Sequence, residues 1–353
     1  MRNRIVEQDL REIAAERLPW ERLQDAMVLV TGASGILASY VVETLLYLNE
    51  TRHLNVRVLA IVRSLQKARH RFAHYERRAE LIIRSHDMRE PLFVEEPIDY
   101  IIHAAGQASP KFYGKDPVGT IEGHILGTRN SLLLAWEKGV KSMLQFSSCD
   151  SYGEGFSNED PDTLDESFVG RLDPLADRSC YPMGKVASES LCRAYVLAHN
   201  VPVKIVRIAH TYAPLMPLDD GRVFADFIGN ALREEDIALN SDGSAERPML
   251  YIADAVRAYF RVLFFGKSGE AYNVAAEENT SIYAFAKLVA RLAPCGGLHV
   301  TVKKEKRKGY LQAPKKQVKI SIRKLQSLGY RQAHTLVDGM RRVLQSYEEK
   351  ENE

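Results

Sequence analysis

The sequence predicts an α/β protein: a Rossmann-type doubly wound parallel sheet with a smaller C-terminal domain. Three observations predict it. Short, continuously apolar runs alternate with helical ones through the first two hundred residues, which marks strands covered on both faces by helices. A glycine-bearing turn, Gly32 to Gly35, joins the first such run to the helix after it. After about residue 209 the alternation gives way to turn clusters.

The elements follow in order. Residues 3–24 read as a helical extension with Ile5, Leu10, Ile13, Ala14 and Leu18 in one stripe and Trp20 as an anchor. Residues 27–30 are a buried strand and 36–48 a helix. Residues 56–62 form a second strand, and 81–83 and 100–102 are short third and fourth ones. A helix over 120–138 precedes a strand at 142–146. A helix over 186–199 and a strand over 203–208 complete the regular part. Turn clusters then occur at 219–222, 240–243 and 295–297. The run from 303 to 319, with Lys303, Lys304, Lys306, Arg307, Lys308, Lys315 and Lys316, reads as a solvated surface loop or as part of an anionic ligand site.

Composition narrows the function. The chain has 353 residues, a length that suggests about two domains. Its 48 Lys and Arg against 46 Asp and Glu leave a net charge of +2, which argues against a general nucleic-acid binder. Four cysteines (Cys149, Cys180, Cys192, Cys295) are too scattered for a disulfide framework or a zinc cluster, so no metal site is expected and a reducing compartment is. Acidic residues break any leader-like stretch after Met1. The apolar stretch 26–48 splits into strand, turn and helix, so no membrane span is expected and the location is read as cytoplasmic.

The segment Val28 to Ala38 places Gly32 and Gly35 where a strand turns into a helix. Glycine there lets backbone N–H groups approach a pyrophosphate at a helix N-terminus. Gly32, Ser34, Gly35 and Ile36 are therefore candidate dinucleotide contacts, the alternative being a structural turn. The residue after the second strand normally reads the ribose, and Arg63 stands there with Lys67 and Arg69 nearby. NAD is the expected cofactor, with NADP left open by Arg63. Asp87, after the third strand, is placed to accept from an adenine amine or to cap a helix. Met88, Ala104 and Ala105, with Tyr181 and Lys185, complete the candidate cofactor set.

Tyr181 and Lys185 stand four apart, on one face if a helix begins there. An ammonium near a phenol favours phenolate. Such a tyrosine takes a proton from a sugar hydroxyl while hydride leaves the same carbon. Ser148, just after a strand, offers a hydroxyl to orient the substrate. With the glycine turn, this set resembles the short-chain dehydrogenase/reductase superfamily.

A narrower resemblance rests on further segments. Residues 147–153, ending in Tyr152-Gly153, are similar to the extended nucleotide-sugar branch. His103-Ala104-Ala105, Ala108-Ser109-Pro110, Tyr113 and Pro117 resemble the region after the fourth strand of UDP-glucuronate decarboxylases. Arg178 to Tyr181, the run Met216 to Phe227 with Arg222, and Gly243 to Arg247 resemble three more of their segments. The likeness covers about residues 26–345. It implies Tyr181 as base, Lys185 as its electrostatic partner, Ser148 as orienter and Asp150 beside the sugar. It implies Ser109, Tyr113, Arg178, His210, Arg222 and Arg247 as substrate contacts, the arginines on carboxylate or phosphates. For each arginine the plain alternative is a surface ion pair. It also implies a homodimer through helices 120–138 and 186–199.

The chain departs from that pattern in places. Asp150 stands for the decarboxylases' Glu, Cys149 for a Ser, His210 for an Asn, and His124 near another Asn. Arg63 replaces the second-strand acid. The domain reading is an extension over 1–25 and a dinucleotide-binding domain over 26–208, to which 250–275 returns. A substrate-binding domain is built from 209–249 and 276–345.

Oxidation at C4 of a uronic acid gives a β-keto acid that loses carbon dioxide without a strong base. Dehydration needs both an acid and a base near C5 and C6, and only Asp150 is present. The first reading is decarboxylation of a UDP-linked uronic acid through a 4-keto intermediate. A 4,6-dehydratase or 4-epimerase is the alternative. A non-catalytic NAD(P)-binding regulator is the rival of another class, and it conflicts with the retained Ser, Tyr and Lys.

Overall fold

The computed structural model describes residues 2–109, 114–153, 156, 159–219, 221–294, 296–302 and 318–348. Strands β1 (Met27–Thr31), β2 (Arg57–Val62), β3 (Leu81–Ser85), β4 (Tyr100–His103), β5 (Ser142–Ser148), β6 (Val203–Ile208) and β7 (Ala271–Val274) form one sheet. Their order is β7-β6-β5-β4-β1-β2-β3. Every pairing in it is parallel. The strand order reverses between β1 and β4, and such a switch point opens a crevice at the carboxyl ends of the strands.

The helices are α1 (Arg4–Ala14), α2 (Ile36–Arg52), α3 (Leu65–Arg71), α4 (Pro117–Lys138), α5 (Cys180–His199), α6 (Val223–Leu232), α7 (Ile252–Phe265), α8 (Ile282–Leu292), α9 (Arg323–Ser327) and α10 (Leu336–Glu348). Alternate residues of β1 serve two cores. Val28 and Val30 pack with α1, α2 and α7. Met27 and Leu29 pack with Leu132 and Ala135 of α4 and Cys192 of α5. This two-sided burial explains why the strands read as unbroken apolar runs.

Two element boundaries differ usefully from the sequence reading. The helix expected over 186–199 starts at Cys180, so Tyr181 lies in its first turn. The helix expected from 120 starts at Pro117, because Asp116 accepts from Gly119 N at 2.9 Å and Pro117 suits the first helical position.

Beyond β6 the chain is less regular. α7 packs against β5 and β6, and β7 joins the sheet edge beside β6. The remaining strand pairs are short: 211–212 with 250–251, 237–239 with 300–302, 246–247 with 280–281, and 163–164 with 319–320. Phe224, Ile228, Phe285 and Val343 belong to the same apolar cluster as Val28, so this region shares the core of the sheet. The extension is equally built in. Ile5, Leu10, Ile13 and Trp20 are buried, and Trp20 packs edge-on to Phe260 at 5.1 Å. Among the described residues no helix is long and apolar enough to cross a membrane.

Candidate active site

The glycine turn leaves β1 with Gly32 at φ +63°, and a Cβ there would lie 2.8 Å from Ala105 Cα. A side chain at 32 would therefore push the loops after β1 and β4 apart. Those loops are tied from within. Thr31 Oγ1 accepts from Ala104 N and Ala105 N, both at 3.1 Å, and pairs with His103 Nδ1 at 2.8 Å. Gly35 caps α2 without a side-chain bond, and the first turn of that helix carries no acid. The N–H groups at its start thus face an open, positively polarised end, which fits a pyrophosphate. Ser34 and Ile36 flank this end, half-buried.

Arg63 is exposed just beyond β2, and Ser64 caps α3 by accepting from Lys67 N. Asp87 pairs with the Arg89 guanidinium and accepts from Arg89 N at 3.0 Å, so it caps a local turn and no helix. Arg89, ahead of Arg63, holds the Asp87 carboxyl below its usual range. Met88 is buried, and its carbonyl accepts from Asn130 Nδ2 of α4 at 2.9 Å.

Ser148 ends β5, and Tyr181 and Lys185 lie on the first turns of α5. Tyr181 and Ser148 share a hydrogen bond. Ser148 Oγ also accepts from Asp150 N at 3.1 Å, which leaves its own proton to point at the phenol oxygen. Lys185 Nζ donates to Phe146 O at 2.8 Å and lies 5.7 Å from the Tyr181 ring centre. Burial pushes the Tyr181 phenol up, and Asp150 adds to that. The Ser148 bond and Arg222 pull the other way. Burial lowers Lys185 to about 8, opposed by Glu189 and Asp150, so it stays an ammonium at neutral pH. Asp150 is exposed. Its neighbour Cys149 donates to Arg207 O at 3.3 Å, and burial pushes its thiol up.

His124 of α4 sets its ring edge-on to Tyr181 at 5.2 Å and pairs with Gln107 O at 3.3 Å. Burial, then the Lys185 charge, drives it well below the usual histidine range, so it is a neutral wall of the pocket. His210 is held neutral too: burial, then Arg247 and Arg222, lower it to about 3. Both cations therefore lie near enough to His210 to act on it, and Arg222 acts on Tyr181 as well. Arg178 shows no such tie among the described residues. It is exposed ahead of α5, with no hydrogen bond or ion pair among the described residues. Ser109 is buried, and Tyr113 lies outside the described residues.

The sequence reading gave no role to four residues that build this site. Thr31 and His103 tie the two cofactor-side loops, and Glu189 and Arg207 brace the strand end below Ser148. The signal for Glu189 was its place one helical turn after Lys185. A cavity of about 760 Å³ lies behind this brace, lined by Glu189 and Arg207 together with Glu166, Arg193, Glu270 and Lys324 among others. Neither Ser148 nor Tyr181 lines it, so its size does not locate the chemistry.

Residues 28–275 match the NAD dependent epimerase/dehydratase family. A curated relative, UDP-glucuronic acid decarboxylase 6 of Arabidopsis thaliana, is 37% identical over 242 residues, 69% of this chain and 67% of the relative. UDP-glucuronic acid decarboxylase 1 of Xenopus tropicalis is 29% identical over 271 residues, 76% of this chain and 61% of the relative. The match thus spans about two thirds of these relatives or less. Among solved structures, UDP-glucuronic acid 4-epimerase of Bacillus cereus has a TM-score of 0.75 and 22% identity, covering 92% of this chain and 99% of that one. The dTDP-glucose 4,6-dehydratase DesIV of Streptomyces venezuelae has a TM-score of 0.76 at 22% identity, covering 92% and 98%. At that identity these likenesses show the fold.

Proposed function

Because the chain belongs to the NAD dependent epimerase/dehydratase family, we propose that it decarboxylates a UDP-linked uronic acid through a 4-keto intermediate, with NAD as its cofactor. The observation that carries this reading is the Tyr181–Ser148 hydrogen bond beside a buried, charged Lys185. When bound, nicotinamide would supply a reversible hydride acceptor.

The side chains do the rest. Ser148 donates to Tyr181 and favours its phenolate, which accepts the proton of the C4 hydroxyl. C4 becomes a ketone, β to the C6 carboxylate. The C5–C6 bond then breaks, its electron pair passes to the C4 oxygen as an enolate, and carbon dioxide leaves. A proton returns to C5, and Asp150 is the carboxyl group placed to deliver it. Arg222 and Arg247 hold the anionic parts of the substrate bidentately. Dehydration would need a second acid at O6. Cys149, where that acid would stand, is half-buried and donates to Arg207 O, which favours decarboxylation.

The same reading includes a homodimer, supported by Val118 and Trp136 on α4 and Leu197 on α5, all exposed and apolar. It includes a cytoplasmic location, supported by the free thiols of Cys149, Cys180 and Cys192. We keep the domain division of the sequence reading as part of the proposal.

The test uses UDP-glucuronate labelled at C6. The wild type is expected to release labelled carbon dioxide. Asp150→Asn should slow formation of the decarboxylated sugar nucleotide while a reduced-cofactor absorbance accumulates. A wild type that releases none from any nucleotide uronate overturns decarboxylation and promotes the epimerase or dehydratase reading.

A further inference from the structure

One half-buried carboxylate behind the reaction centre has no part in the chemistry so far. Glu189 lies four residues after Lys185 on α5, so both side chains project from one face of the helix. Ser147 Oγ donates to Glu189 Oε1 at 2.5 Å. Arg207 of β6 donates through Nε at 3.0 and 3.2 Å and through Nη2 at 2.7 Å. One carboxylate therefore ties the end of β5 to β6 and to α5.

What hangs on that tie is the reactive turn. Ser147 immediately precedes Ser148. Arg207 carries the turn from the other side: its carbonyl accepts from Cys149 Sγ, and its guanidinium covers the Tyr152 ring at 4.8 Å. Tyr152 Oη closes the frame by donating to Asn273 Oδ1 of β7 at 2.8 Å. Ser148 and Asp150 thus sit on a short turn fixed at both ends, and Glu189 is the group common to both fixings.

We propose that Glu189 is a positioning residue: through Ser147 and Arg207 it holds Ser148 in register with Tyr181, and it sets a negative charge one helical turn from Lys185. The proposal rests on the reading of Ser148, Tyr181 and Lys185 as the reaction centre. The groups facing Lys185 are Tyr181 and Glu189 from α5, Asp150 from the turn after β5, His103 from β4 and His124 from α4. The Phe146 carbonyl of β5 accepts from its ammonium. Both histidines are neutral, so Glu189 and Asp150 are the charges that oppose the pull of burial on Lys185. Without Glu189 the ammonium loses its proton at lower pH, and an uncharged amine no longer favours a phenolate beside it.

The experiment compares Glu189→Gln with wild type in the full chain. Glutamine keeps the shape and one acceptor oxygen and removes the charge. The first readout is the titration of the Lys185 13Cε signal, assigned with Lys185→Arg. It needs no substrate, so it stands even if the uronate reading fails. The midpoint is expected to fall by about half a unit or more. The second readout is turnover against pH, where the alkaline limb should move down with it and kcat should fall about tenfold at little change in KM. A strut that merely supports the fold would lower activity at all pH values and leave the Lys185 midpoint in place, and that result overturns the proposal. Removing one partner of a buried pair strands the other. Where Glu189→Gln alone does not fold, Glu189→Gln combined with Arg207→Gln removes both charges. The same downward midpoint is expected there, and an unmoved one overturns the proposal.

Discussion

At the seam where α1 meets the C-terminal helices, buried charges are met by opposite charges. In the pocket around Tyr181, buried ionisable groups face burial with few partners. In the seam, Asp9 has no exposed surface and accepts from Tyr40 Oη, Tyr251 Oη and Arg342. His334 bridges Asp254 and Glu12, and Glu16 binds Arg257 and Arg261. Burial pushes His334 down, but Asp254 and Glu12 hold it up at about 9. In the pocket the balance tips the other way: burial wins at Lys185, His103, His124 and His210, and all four are lowered. His103 Nε2 has no partner among the described residues. A satisfied network holds a chain segment in place, whereas desolvated groups with unmet capacity leave interactions for a ligand to complete.

The largest expected effect tests the pocket. Tyr181→Phe removes one oxygen from a site that contributes little to holding the fold together. Turnover should fall by about 10²–10⁴, the usual worth of a general base, while the melting temperature stays within a few degrees of wild type. Near-normal turnover in this variant would remove Tyr181 from the reaction.

The next tests the seam. Asp9→Ala leaves Arg342 with Glu12 as its carboxylate partner and strands two buried tyrosine hydroxyls. It should cost about 3–5 kcal/mol in urea unfolding at pH 7, the range for a broken buried pair. The fraction that remains folded should turn over substrate at the wild-type rate. A loss of rate without a loss of stability would reverse the roles of the two regions.

The pocket was the more legible of the two. Gly32, Ser148, Tyr181 and Lys185 lie within short segments whose spacing is set by one strand end, one turn or one helical turn, and such local geometry is visible in sequence. The sheet was legible for the same reason, since two-sided burial writes unbroken apolar runs. The seam was not legible, because Asp9, Glu12, Asp254, His334 and Arg342 come from places hundreds of residues apart, and each alone reads as an ordinary surface charge. Glu189 and Arg207 were missed on the same ground: Arg207 sits in β6, and nothing local announces its partner. The expected role of Arg178 rests on residue type alone. Its residue type suited an anion, but its segment stays on the surface ahead of α5.

A smaller effect separates the regions by pH. The folded value of His334, about 9, stands above its ordinary 6.5, so folding favours the protonated ring. Its stabilisation is complete below pH 6.5 and is lost as pH rises to about 9. Asp9 acts in a lower window. Burial raises it from 3.8 to about 6, so its share is lost as pH rises through about 6. Urea midpoints should therefore decline from about pH 6.5 to about pH 9, and His334→Gln should flatten that decline. An identical slope in the variant would mean that the seam does not set it.

The smallest expected effect lies at the rim of the pocket, where water screens charge. Arg63 is exposed after β2, near enough to Asp87 to help hold its carboxyl low. Asp87 itself is taken up by Arg89, and the Arg63 guanidinium has no hydrogen bond or ion pair among the described residues, which suits it to the ribose side of a dinucleotide. A 2′-phosphate there would gain a charged partner, whereas a 2′-hydroxyl would gain a single weak bond. Arg63→Asp replaces that partner with a like charge. It should weaken NADP binding about tenfold, or ~1.4 kcal/mol, and leave NAD within about twofold, with the difference shrinking at high salt. Titration of the two dinucleotides onto variant and wild type at two salt concentrations measures it. Equal effects on both would show that Arg63 does not reach the 2′ position. The rim would then contribute nothing to cofactor choice, and recognition would rest on the glycine turn and the open end of α2.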